Sequence, residues 1–475
     1  MFRIADRRGR QRRQQVSGVL SAISVAGLVA GCVGSAAAPA TLSTGAALHV
    51  GVVLPLTGMP AQLAGQERLG IQLAADLVNA DGGVQGRQIA VDVRDLSDST
   101  QAGAVVASLK AEGASVVVGS YASDLSMAVS SAAADAGLVY WESGAVADQL
   151  TGRGLPLVFR VGADGARLGA NSATFAATEL APMLGKTAST LRVTIVAATD
   201  GYARSVADAA EAGIASAGAA LADRIDYNLS VPDWPTVLAR LVASRPDVVI
   251  LAAHIPDGEA FRRAMVAADV HVGALIGSTM AQCVGDFGEE LGADAVGVFA
   301  SDRPTGGFNP AALQPAAQAL YDRFAAVWAK SNGSTQPTEE GLAGFAAAWA
   351  LFHDVLPGAG GLDPSSIAAA ARAVDLPEGS LPNGSGLSFS TDPARLGQNE
   401  LAAAVVWQWQ PASPATGSAA TGSAATGSAA TGSAATGSAA SPFASPLAAT
   451  PQSVTVWPPQ FASGPIDRSL VPLPR

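Results

Sequence analysis

The 475-residue chain is poor in the residues that build metal and disulfide frameworks. It has two cysteines, Cys32 and Cys283, and four scattered histidines, His49, His254, His271 and His353. The cysteines sit in unlike contexts and no Cys/His pair shows ligand spacing, so neither a disulfide nor a metal site is expected. Charge is scarce too, at 14% of residues, and the net value of −11 argues against nucleic acid as a partner. Signatures of catalysis are missing. No G-x-G-x-x-G follows the first apolar run, which reads "LPLTGMP", and "GKT" at 185–187 lacks the first glycine of a phosphate loop. Neither a G-x-S-x-G elbow nor H-E-x-x-H occurs. An enzyme is therefore not expected, nor a cofactor. What the chain does have is apolar material: 49% hydrophobic residues over a length that suggests two or three domains.

Residues 1–15 carry six arginines, and 16–31 are small, apolar and uncharged. A basic segment before a short apolar run reads as a secretory signal, too short to span a bilayer at about 20 residues. The run ends "LVAGC", which resembles the bacterial lipobox, with Cys32 as the lipidated residue and 1–31 removed. Residues 32–46, rich in Ala, Ser, Gly and Thr, then form a flexible tether. A lipid anchor with more than one chain holds a protein stably at a membrane. The expected location is the outer face of the cytoplasmic membrane. Without a cysteine pair, the fold there must stand on packing alone.

From residue 47 the pattern alternates. "HVGVVLPL", "IAVDV", "SVVVG", "LVYW" and "LVFRV" read as strands, with helices over 62–79, 100–111 and 123–136 between them. A second set follows: "RVTIVAA", "DVVILAA" and "ALIG", with helices over 166–183, 203–216 and 258–268. Helices over 311–330, 339–355 and 364–374 come next, then strands "LAAAVVWQW" and "SVTVW". Apolar strands alternating with helices predict parallel sheets covered on both faces. "ATGSA" repeats five times over 415–439. Such residues cannot bury a core, so 411–450 reads as a low-complexity insertion lengthening a loop between two paired strands.

These motifs, in order, resemble the solute-binding proteins of bacterial ABC importers in the leucine/isoleucine/valine-binding branch. "GVVLPLTG" with "GQERLGIQLAADLVNADGGVQGRQIAV" is similar to that family's first strand, helix and turn. "VVVGSYASD", "LVFRVGADGARLG" (with Arg160 and Asp164) and "ATDGYARS" follow at the expected places, although Ala203 stands where the family's turn has glycine. The resemblance covers 48–409 and the last strand. It implies an α/β fold of two Rossmann-like lobes with parallel sheets, joined by a three-crossing hinge, the type I periplasmic binding protein fold. The expected lobes are 47–160 with 300–378, and 161–299 with 379–475. The ligand would lie between them, outside the carboxyl ends of the strands.

The resemblance also implies the site. Tyr121 and Ser123 stand at a helix start, where unpaired N–H groups favour a carboxylate. Ser123 could equally be a plain N-cap. Gly144, Ala145 and Val146 match the family's small-small-Thr triplet, with Val146 losing the hydroxyl. Tyr202 belongs to the motif "ATDGYARS", and His254 falls at or beside an aromatic position of the cleft. Thr279 stands where amino-acid binders carry the acid that meets the ligand ammonium. Burying an ammonium without its partner is costly, on the scale of a broken buried pair at about 3–5 kcal/mol. Either Glu142 supplies that charge from the other lobe, or the ligand is an amide, a small carboxylate or a related compound. The implied activity is capture of a small solute by a monomer and its delivery to a membrane permease driven by a cytosolic ATPase. The alternative is a sensor that presents its ligand to a separate receptor, since residues 1–475 display no signalling domain of their own.

Overall fold

Short apolar runs closed by small residues make the strands, and their burial fixes the sheets. The computed structural model describes residues 46–58, 60–278, 285–334, 336–412 and 450–474, which belong to one unit. Cys32 and its leader, Thr279, Cys283 and the repeat tract lie outside the described residues. The first sheet holds β1 (Leu48–Leu54), β2 (Ile89–Asp95), β3 (Val116–Gly119), β4 (Val139–Glu142) and β5 (Val158–Arg160), in the order β2-β1-β3-β4-β5 and parallel throughout. Helices α1 (Ala61–Ala80), α2 (Ala102–Ala111) and α3 (Ser123–Ala136) provide its crossovers.

The second sheet begins after α4 (Gly165–Phe175), which continues as a π turn over Ala176–Leu180. It contains β6 (Arg192–Ala198), β7 (Ala220–Tyr227), β8 (Val248–Ala252), β9 (Ala274–Ser278) and β10 (Phe299–Asp302), all parallel. Between them run α5 (Gly201–Ser216), α6 (Trp234–Ser244), α7 (Ile255–Ala267) and α8 (Gly285–Leu291). After α9 (Pro315–Asn332), α10 (Glu339–Trp349) and α11 (Pro364–Ala373), the two-residue strands β11 (Asp375–Leu376) and β12 (Leu387–Ser388) pair with each other. β13 (Val405–Gln410) and β14 (Gln452–Trp457) then close the second sheet in antiparallel fashion. The repeat tract thus falls between two strands that pair directly.

Several elements are not legible in the sequence pattern, among them β7, α6 and β10, together with α8 and the two-residue β11 and β12. β7 is an edge strand whose "ALADRIDY" buries few side chains, α6 opens on Trp-Pro, and β10 is four residues long. The lobe boundary expected between 299 and 300 cuts β10, which stays with the second sheet through Asp302. Likewise Phe389, placed by sequence in the second lobe, packs edge-on against Trp141 and Phe159 of the first, at 5.3 and 5.1 Å. Trp141 is core: it is fully buried and donates Nε1–H to the Ala347 carbonyl at 2.8 Å.

The chain passes between the lobes after β5, after β10 and before β13. Two of these crossings are clamped together by polar side chains. Arg160 is fully buried and donates from Nε to Gln398 Oε1 at 2.6 Å and from Nη1 to the Ala147 carbonyl at 2.7 Å. Gln398 and Asn399 in turn donate to the carbonyls of Gly162 and Val161, at 3.0 and 2.9 Å. Each of these groups would be costly to bury unpaired, so the clamp fixes where the hinge strands run.

Candidate functional site

Strand order reverses between β1 and β3 in the first sheet and between β6 and β8 in the second. At such switch points the loops leaving neighbouring strands diverge and leave a crevice. Here the two crevices face each other and share a cavity of about 180 Å³. The first lobe contributes Pro60 after β1, Tyr121 to Asp124 after β3, Gly144 and Val146 after β4, and Arg303 after β10. The second contributes Asp200 and Tyr202 after β6, Leu229 after β7, and His254 to Pro256 after β8.

The β3–α3 turn is built for close approach. Gly119 has φ +120°, and a Cβ there would sit 2.2 Å from the Val53 carbonyl oxygen, so only glycine fits. Tyr121 follows in the left-handed region at φ 66°, held by burial. Such strained positions cluster at ligand sites. The N-cap of α3 is Ala122, which has no side chain able to cap. The first-turn N–H groups and the positive end of the helix dipole therefore face the cavity. Ser123 is not the cap. Its Oγ accepts the N–H groups of Val146 and Ala147, at 3.3 and 3.2 Å, and ties the loop after β4 to the helix. The hydroxyl hydrogen remains available to a ligand oxygen, whereas the Val146 N–H is already engaged.

Most of the residues expected at the site converge on it: Tyr121, Ser123, Gly144, Val146, Tyr202 and His254 all line the cavity. Ala145 and Glu142 do not. Ala145 is buried, with its N–H given to Glu142. Glu142 is itself fully buried. Its Oε1 accepts from Gly144 and Ala145, at 2.7 and 2.8 Å, and its Oε2 from Ser120 N–H and the Tyr140 hydroxyl, at 3.2 and 2.6 Å. With four donors satisfied inside lobe 1, Glu142 organises the turn and does not reach a ligand ammonium.

Acids that do line the cavity are Asp200 and Asp124. Asp200 caps α5 through Oδ1, which accepts Ala203 N–H at 3.0 Å. Its Oδ2 is buried, accepts no hydrogen bond, and lies 3.7 Å from His254 Nε2. Burial works against charge on His254, yet Asp257, Asp200 and Asp124 outweigh it and raise its pKa above the ordinary value. Tyr202 meets the His254 ring edge-on at 5.0 Å and donates its hydroxyl to the carbonyls of Ala253 and Ser278. Asp200 was in view in the sequence, directly after a buried strand in "ATDGYARS". Arg303 carries no such signal, because the site loop whose carbonyls it meets lies about 160 residues away. Among the described residues, no three His, Cys, Asp or Glu side chains are arranged to hold a metal ion.

Comparison with known proteins agrees with this architecture. Residues 47–406 match the family described as periplasmic binding protein. The chain is 28% identical over 362 residues to the Leu/Ile/Val-binding protein homolog 8 of Brucella abortus (strain 2308), covering 76% of this chain and 87% of that protein. It is also 28% identical over 393 residues to homolog 7 of Brucella melitensis, covering 82% and 94%. Among solved structures, LivJ from Streptococcus pneumoniae with isoleucine superposes with a TM-score of 0.63 at 18% identity, over 77% of this chain and 96% of that one. A solute-binding protein from Rhodopseudomonas palustris with 3,4-dihydroxy benzoic acid gives 0.62 at 18% identity, over 77% and 94%. With two lobes, their facing switch points and a family match across three quarters of its length, this chain belongs to the periplasmic binding protein family.

Proposed function

We propose that this protein is an extracytoplasmic substrate-binding lipoprotein of an ABC importer. It captures a small solute between its lobes and delivers it to a membrane permease, with Cys32 as the anchor. The observation that carries the reading is the cavity itself, enclosed by loops from both lobes beside a hinge crossed three times. Closure around a solute is a state a permease can recognise, provided the solute binds the closed form preferentially. The solutes named in related structures, among them leucine, isoleucine and 3,4-dihydroxy benzoic acid, all carry a carboxylate. The uncapped start of α3 with Ser123 is the matching feature here, and Gly144, Val146, Tyr202 and His254 complete the enclosure. Asp200, rather than Glu142, is the acid placed to meet a ligand ammonium or hydroxyl.

The test is a thermal-shift screen of the purified protein against amino acids, amides, carboxylates, aromatic acids and sugars. A true ligand at 100 times its Kd adds about 2.7 kcal/mol of stability and raises the melting temperature by a few degrees. Ser123→Ala is expected to weaken carboxylate binding about tenfold. It also strips two loop N–H groups of their acceptor, each worth roughly 1–3 kcal/mol when left buried, so Ser123→Thr serves as the control that keeps the oxygen. Loss of uptake in cells lacking the protein supports delivery. Tight binding with unchanged uptake would point to a sensor instead.

A further inference from the structure

Arg303 leaves the end of β10 and lines the cavity, yet its side chain is only 6% exposed. Its Nη1 donates to the carbonyls of Ser143 and Gly144, at 3.0 and 2.9 Å. Its Nε lies 2.6 Å from Glu339 Oε1, close enough for an ion pair though not aligned as a hydrogen bond. Among the described residues Nη2 has no partner. With Nη1 and Nε held by protein oxygens, Nη2 is the donor left to an anion, a single charge-assisted contact from a guanidinium already fixed in place.

The loop between residues 143 and 147 lies between this group and the start of α3. Arg303 holds the loop's carbonyls on one side, and Ser123 holds its Val146 and Ala147 N–H groups on the other. The cavity therefore has two separate places for negative oxygens: the helix start and Nη2 of Arg303. An aliphatic side chain at the second place would strip water from the guanidinium and give nothing back.

Neighbouring acids on the Nε side keep this group charged. Burial opposes the Arg303 cation, but Glu339 and Asp302 hold it in its charged form, well above the usual range. Two carboxyls close by are themselves inclined to be neutral: burial pushes Glu67 up to about 8 and Glu340 to about 7. A second ligand carboxylate would thus meet a cation with few fully ionised competitors.

We infer that Arg303 reads a second acidic group of the ligand, so that the cavity takes a small organic acid with two carboxylates rather than an aliphatic amino acid. This inference rests on the reading that the cavity is the solute site. Plain diacids and amino diacids share the required chemistry. Asp200 Oδ2, buried and without a hydrogen bond, separates them, since only the second class offers it an ammonium.

Calorimetric titration of the protein with a matched series tests the assignment. The series contains succinate, glutarate and adipate, monoacids of the same lengths, aspartate, glutamate and aminoadipate, and leucine, isoleucine and valine. A diacid is expected to bind at least a hundredfold more tightly than its monoacid. In Arg303→Met that preference should collapse. Because this change leaves Glu339 without its cation, Arg303→Met combined with Glu339→Gln is measured alongside, and each variant is checked for a cooperative melt. A loss of about a hundredfold for the diacid, with the monoacid unchanged within a few-fold, supports a direct contact. A structural role would weaken both alike and overturns it. A preference for monoacids or aliphatic amino acids also overturns it, while solute capture stands. If no solute of any class binds, both readings fall. Binding of amino diacids alone supports the inference and assigns the ammonium to Asp200.

Discussion

Gly344→Ala is expected to destabilise the protein by more than about 3 kcal/mol, against the preference of helices for alanine. Within α10, replacing glycine by alanine should gain roughly 1 kcal/mol from backbone propensity alone. The gain is outweighed by contact. A Cβ on Gly344 would lie 2.4 Å from the Glu67 carbonyl oxygen and 2.9 Å from its Cγ. Across the same crossing, a Cβ on Gly70 would lie 2.1 Å from the Gly341 carbonyl oxygen, and one on Gly341 would enter the Trp328 ring at 2.2 Å. Helices α1 and α10 touch backbone to backbone through these glycines, and a backbone cannot turn aside as a side chain can. The helices must separate, which exposes Ile71, Ala74 and Phe345, all now fully buried. Gly65→Ala on α1 is the control: nothing lies within 4 Å of its Cβ, so a gain of roughly 0.5–1 kcal/mol is expected there. Denaturant titration of both variants reads the difference. A stabilised Gly344→Ala protein would show that the two helices do not meet in this way.

Stability should also fall as pH rises from about 5 to about 8, the reverse of the usual acid sensitivity. Glu67 is fully buried beneath Gly144, where its Oε1 accepts the Ser143 hydroxyl at 2.6 Å and its Oε2 has no donor. Burial, and then the charge on Glu142, raise its pKa from 4.5 to about 8. In that window the folded state holds a proton that the unfolded chain has released, so each step up in pH favours unfolding. The contribution is complete below about 4.5 and gone above about 8, and a shift of this size is worth at most roughly 5 kcal/mol. Burial pushes Glu340 and Glu339 in the same direction. His254 adds to the trend with the same sign: its raised pKa means that its stabilising charge is present at low pH and lost as pH rises through the folded value. Denaturation midpoints at pH 5.5, 7 and 8.5 measure the slope. Glu67→Gln, which imitates the neutral acid, should flatten it; a flat profile in the unaltered protein, or a slope untouched by Glu67→Gln, would contradict the assignment.

The same buried cluster explains why part of the site was legible in the sequence and part was not. "VVVGSYASD" announces a buried strand ending at a helix start, and the structure puts β3, Tyr121 and Ser123 there. That inference is local: strand, turn and helix are neighbours along the chain, and their chemistry follows from residue order. Glu142 looked equally available, two residues before Gly144. Only the packing of β4 against β3 shows its carboxylate turned inward, onto Ser120, Tyr140 and two loop N–H groups. Arg303 is the opposite case. Nothing near it in sequence hints at a site, and it enters the cavity because β10 ends opposite the loop after β4.

Sequence alone therefore determined the alternation of apolar strands and helices, the parallel sheets it requires, and the helix start that suits a carboxylate. These depend on periodicity and on neighbours within a few residues, which a single chain displays directly. Tertiary structure decided the membership of β10 in the second sheet, the burial of Glu142, the Asp200 oxygen that accepts no hydrogen bond and the available Nη2 of Arg303. Each of these depends on which distant backbone a side chain meets and on how much water is left beside it. Those quantities exist only once the two lobes have folded and face each other across the cavity.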